Sequence, residues 1–81
     1  MKAILVEDEQ SAAANLKHLL ARVAPNIQLI EWIETVSDAI SFFKEGGDYQ
    51  LVFMDIHLAD GNSFEILKAV EPAAPIIFTT A

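Results

Sequence analysis

At 81 residues the chain has room for one domain, and a domain of that size buries only about 60–65% of the surface its unfolded chain exposes. Its formal net charge of −7 argues against non-specific binding to nucleic acid or anionic membranes and suits a cation site, while the lack of cysteine excludes disulfides and thiolate metal sites. With 53% hydrophobic residues a packed core is affordable, yet no apolar run is long enough to cross a bilayer and MKAILVEDEQ lacks the pattern of a signal peptide, so a cytoplasmic location is expected.

Lys2 to Val6 is a short apolar run of the kind that forms a strand buried on both faces. Gln10 to Val23 then repeats apolar residues at helical spacing. Ala12, Leu16, Leu19, Leu20 and Val23 are expected on its inward face, with His18 solvated. Pro25 and Asn26 end that helix. Ile27 to Ile33 reads as a second strand, and Glu31 and Glu34 suit an edge position. Thr35-x-x-Asp38 resembles a capping box and opens a helix with Val36, Ala39, Ile40 and Phe43 inward. Gly46-Gly47 closes it. Leu51 to Met54 is a third strand. A third helix, opened by Asn62 or Ser63, is expected to bury Phe64, Leu67 and Val70. Pro72 and Pro75 bracket the turn into a fourth strand, Ile76 to Thr79. Trp32, Phe42 and Phe43 are expected to pack in the core or between helix and sheet.

Strands alternating with helices call for a parallel sheet with helices on both faces and right-handed crossovers. The expected fold class is therefore α/β, doubly wound, with strand order 2-1-3-4. The topological switch point then lies between the first and third strands, where such sheets bind ligands beyond the carboxyl ends of their strands. Glu7 and Asp8 follow the first strand and Asp55 ends the third, so the three carboxylates should meet in one crevice. Clustered carboxylates repel, and a hard divalent cation such as Mg²⁺ relieves the repulsion.

Each acid also has a structural reading. Acids at a helix start complement its dipole, which covers Glu9 fully and Glu7 and Asp8 in part. Asp55 alone could cap a loop. The convergence of all three favours a site. Asp60-Gly61 reads as a turn. His57 has no second His or Cys beside it to make its imidazole a metal ligand. Thr79 and Thr80 are explained equally by strand propensity and by a hydroxyl aimed at the crevice.

ILVEDE, LVFMDIHLADG and PIIFTTA, in this order and spacing, resemble the three signature segments of response-regulator receiver domains, the CheY-like, flavodoxin-like fold. The resemblance covers residues 1–81, and the wording of LADGNSF and PIIFTTA is most similar to receivers that precede LytTR-type DNA-binding domains. It implies a non-enzymatic phospho-acceptor of a two-component system, partnered by a sensor histidine kinase and, in full-length form, by a DNA-binding output domain that regulates transcription. Asp55 matches the phospho-acceptor. Asp8 matches the direct Mg²⁺ ligand and Glu7 its neighbour, which acts through water. The backbone carbonyl of His57 matches a further ligand, Thr80 the switch hydroxyl, and Ala81 the small residue whose amide faces the phosphate.

Complete receivers continue beyond that threonine with a helix, a fifth strand and a last helix. The chain is accordingly expected to be the N-terminal part of a receiver, incomplete at its C-terminus. The family's fifth-strand lysine has no counterpart among Lys2, Lys17, Arg22, Lys44 and Lys68. The fourth strand should then present an open apolar edge, and association of copies around Ile76 to Thr79 is expected. Two other functions compete with that of phospho-acceptor. An aspartyl-phosphate phosphatase of the haloacid-dehalogenase type would want a second aspartate at position 57, where histidine stands. A receiver fold kept only for association would have little use for Asp8, Asp55 and Thr80, but the missing lysine keeps that reading open for this chain.

Overall fold

The computed structural model describes residues 1–79. Its elements in chain order are β1 (Lys2–Val6), α1 (Gln10–Val23), β2 (Gln28–Ile33), α2 (Val36–Glu45), β3 (Leu51–Asp55), β4 (His57–Leu58), β5 (Gly61–Asn62), α3 (Phe64–Ala69) and β6 (Ile76–Thr79). The four longer strands form one parallel sheet in the order β2-β1-β3-β6. β6 is the fourth strand of the sequence reading, so the doubly wound order is as expected. The short antiparallel pair β4–β5 was not expected. It turns at Ala59-Asp60, and Gly61, the first residue of β5, holds φ 150, a conformation that favours glycine.

β1 and β3 are continuous apolar runs because they are central, with a helix layer on each face. Ile4, Val6, Val52 and Met54 point to one face, where Ala39 and Phe43 of α2 and Ile66 of α3 cover them. Ala3, Leu5 and Phe53 point to the other, against Ala13 and Leu20 of α1. Phe42, Phe43 and Tyr49 form a mutual aromatic contact at the first layer, with centroids 5.5 to 6.0 Å apart. Among the described residues no helix is long and apolar enough to cross a membrane.

Two expectations about packing are corrected. In α1 the inward stripe runs through Ala13, Leu16 and Leu20, while Leu19 and Val23 are exposed. These inward positions are three and four apart, so the stripe is narrower than the apolar residues of the segment suggest. In α3 the buried residue is Ile66, not Phe64. The helix is a turn and a half long, and Phe64 lies at its exposed start, in a tilted ring contact with Phe78 of β6 at 5.5 Å. Trp32 takes the second of its two expected places: it stands on the edge strand β2 beside α1, between helix and sheet, and is 37% exposed.

The β2 edge carries a bulge. Ala3 stands opposite Leu29 and Ile4 opposite Glu31, leaving Ile30 without a partner on β1. Such an insertion breaks the ladder geometry that would recruit a foreign strand and re-aims the residues that follow. α2 is capped from two sources. Thr35 Oγ1 accepts from the Asp38 amide at 3.0 Å, the expected half of a capping box. Asp60, on the β4–β5 turn, accepts from the Val36 and Ser37 amides at 2.8 and 3.2 Å. At its far end Gly46, with φ 77, takes the chain out of the helix.

Candidate functional site: a carboxylate cluster at the strand ends

Glu7 leaves the end of β1 still tied to the sheet, its amide donating to the Ile33 carbonyl at 2.9 Å. Asp55 is the last residue of β3, the strand beside β1. Parallel neighbours in register carry their carboxyl ends to one rim of the sheet, which is why acids far apart in sequence meet. One carboxylate oxygen each from Glu7, Asp8 and Asp55 lie within 4.8 Å of one another. Glu7 and Asp55 are buried, at 6% and 8% exposure, and Asp8 is half-buried.

Electrostatics follow from that geometry. Burial pushes the Glu7 carboxyl up to about 7 from its ordinary 4.5, and Asp55 and Asp8 add to the rise; the Glu9 amide, donating to Glu7 Oε2 at 3.2 Å, opposes it. Asp55 Oδ1 accepts from the Ile56 amide at 2.8 Å. Among the described residues the only ion pair is Lys2 with Asp48 at 3.2 Å, so no side-chain cation is paired with the cluster. Three oxygen-bearing acids with no internal counter-charge form a donor set of the type Mg²⁺ takes.

The other sequence candidates divide. His57 has an exposed side chain, lies opposite Asn62 in the β4–β5 pair, and is outside the carboxylate cluster. Glu9 is the residue before α1 and makes no side-chain cap; it contributes its amide to Glu7 instead. Thr79 stands opposite Asp55 in register, with its Oγ1 buried and without a hydrogen-bond partner among the described residues. It lines a groove of about 270 Å³ with Glu7, Leu16 and Leu19. Thr80 and Ala81 lie outside the described residues.

One contact at the site escaped the sequence reading. Trp32 Nε1 donates to the Glu7 carbonyl at 2.6 Å. The available signal was chemical: an indole N–H on an edge strand needs an acceptor.

No protein-family model matches the chain. It is 36% identical over 84 residues to the sensory transduction protein LytT of Bacillus cereus; that alignment takes in 100% of the chain and 33% of LytT, so the chain spans about a third of the length of this relative. Among solved structures it is similar to the MaeR response regulator bound to beryllium trifluoride, with a TM-score of 0.79 and 26% identity over 100% of this chain and 67% of that one. It is similar also to the non-phosphorylated HemR receiver domain from Leptospira biflexa, with a TM-score of 0.74 and 31% identity over 99% of this chain and 64% of that one. By its sheet order and by these relatives, the chain belongs to the response-regulator receiver domains, the CheY-like fold.

Proposed function

We propose that the chain is the phospho-acceptor module of a two-component system, taking a phosphoryl group from a sensor histidine kinase onto Asp55. The observation that carries this reading is the convergence of Glu7, Asp8 and Asp55 at the ends of β1 and β3. In the transfer an Asp55 carboxylate oxygen bonds to phosphorus as the phosphorus–nitrogen bond of the donor phosphohistidine, protonated on its other ring nitrogen, breaks, leaving an acyl phosphate on Asp55 and a neutral imidazole on the donor. Asp8 and Asp55 hold Mg²⁺ directly in this reading, with Glu7 acting through water and the His57 carbonyl as a further ligand. When bound, the ion supplies positive charge to the oxygens of the transferring group. Glu7 contributes an acid that releases its proton when the cation is taken up. Thr80 is the hydroxyl that meets the phosphoryl group.

The module is the consumed acceptor of one transfer and not an enzyme with turnover. In a full-length protein it would be joined to a DNA-binding output domain of LytTR type and act in the cytoplasm as a transcriptional regulator. Acetyl phosphate labelling read by intact mass tests the reading: a phosphoryl increment that Asp55→Asn removes supports it. A folded chain that takes no label and only self-associates would be an association module, and one that hydrolyses phosphate esters with turnover would be a phosphatase.

A second reading concerns assembly. β6 pairs with β3 on one side only among the described residues, and Ile77 and Phe78 are 47% and 39% exposed there. An open strand edge has backbone groups complementary to an identical edge under two-fold symmetry. The proposed partner at this edge is a second copy of the chain, paired antiparallel through Ile76–Thr79.

A further inference from the structure

The peptide unit between Glu7 and Asp8 joins two of the three clustered acids, and its carbonyl is the acceptor of the Trp32 indole. At 2.6 Å this is a short contact for an N–H donor. The Glu7 amide is fixed on the other side by the Ile33 carbonyl. Successive residues of β2 therefore hold the backbone of Glu7 from both ends.

The bulge makes this possible. Side chains alternate along a strand, so a one-residue slip exchanges the faces. With Ile30 inserted, Trp32 stands opposite Leu5 and beside α1; without it, Glu31 would take that place. The ring then forms one wall of a groove of about 500 Å³ between α1 and β2, with Leu5, Ala13, Lys17 and Leu29. A large aromatic that remains more than a third exposed adds less to the core than its size allows. Its N–H has a defined partner nonetheless.

From this geometry we infer that Trp32 is a positioning residue for the acidic pair: its indole N–H sets the orientation of the Glu7–Asp8 peptide, and through it the approach of the Glu7 and Asp8 carboxylates to a divalent cation. The inference rests on the cation reading above. Groups that orient ligating residues from outside the coordination sphere tune affinity without touching the ion.

Trp32 is the sole tryptophan, so residue-specific replacement is clean. Three forms of the full chain are compared in Mg²⁺ titrations followed by amide NMR: native, 5-fluorotryptophan, which keeps the N–H, and the benzothienyl isostere, which replaces N–H by sulfur. The expected result is a native indole N–H resonance that shifts with the same midpoint as the Asp8 and Asp55 amides. Affinity should stay native with fluorotryptophan and fall roughly three- to ten-fold with the isostere, the worth of one hydrogen bond. Unchanged amide shifts in β1 and β3 of the apo isostere show that the fold is kept. Equal affinity in all three forms overturns the inference and leaves the cation reading intact. A native chain that binds no Mg²⁺ overturns the cation reading, and the inference with it.

Discussion

Glu7 and Asp55 stand side by side at the ends of adjacent parallel strands, both buried, with no side-chain cation paired to either among the described residues. The stress of that pairing falls on Glu7, whose carboxyl burial and Asp55 together raise to about 7.

The first consequence is a pH dependence of unusual sign. Below the unfolded value of 4.5 both states hold the Glu7 proton. Between 4.5 and about 7 the unfolded chain releases it while the folded chain keeps it, so unfolding becomes easier as pH rises. Metal-free protein should lose stability across that window, by about 3 kcal/mol at most for this group. Urea unfolding at a series of pH values checks this. Glu7→Gln should flatten the profile, and an unchanged slope in that variant would assign the dependence elsewhere.

Cation binding should show the complementary trend. Because the ion competes with the Glu7 proton, Mg²⁺ affinity should rise with pH up to about 7 and then level. Asp8→Asn should weaken binding more than Glu7→Gln, since Asp8 is the proposed direct ligand. Titration followed by Trp32 fluorescence measures both. Native affinity in a folded Asp8→Asn chain would remove Asp8 from the site.

The corrected face of α3 gives a stability contrast. Ile66 is fully buried and Phe64 is 47% exposed. Ile66→Ala should cost about 2–5 kcal/mol, enough to unfold much of a small domain. Phe64→Ala should cost about 1 kcal/mol, the worth of its ring contact with Phe78 and some burial. Denaturant midpoints of the two variants compare them.

At the sheet edge, Ile77→Lys places a charge on β6, which should shift sedimentation toward monomer if copies pair there. A native chain that stays monomeric at high concentration would refute the pairing.

How far this was legible in the sequence depended on the kind of signal. The sheet order followed from alternation, because crossover handedness leaves few arrangements, and the acids were found because parallel strands end on one rim. Helix faces were less legible. The apolar residues of α1 outnumber the places its neighbours cover, and only packing shows that Leu19 and Val23 are left outside. Asp60 reads as a turn residue, which it is; that its carboxylate also caps α2 depends on a contact across 24 residues. The Val36 and Ser37 amides hold that carboxyl below its usual range. The contact of Trp32 with the Glu7 carbonyl was not legible because a one-residue bulge leaves no periodic trace in so short a strand, yet it decides which side chain faces that carbonyl.

Chemical mapping of the label tests the central claim most directly. An acyl phosphate on aspartate is reduced by borohydride to homoserine, and tandem mass spectrometry then reads its position. After acetyl phosphate treatment with Mg²⁺, homoserine should be found at position 55 alone. Formation should be slow, since among the described residues no side-chain cation is paired with the cluster to receive the phosphoryl oxygens. Homoserine at another acid, or labelling that persists undiminished in Asp55→Asn, would contradict the assignment of Asp55 as the acceptor.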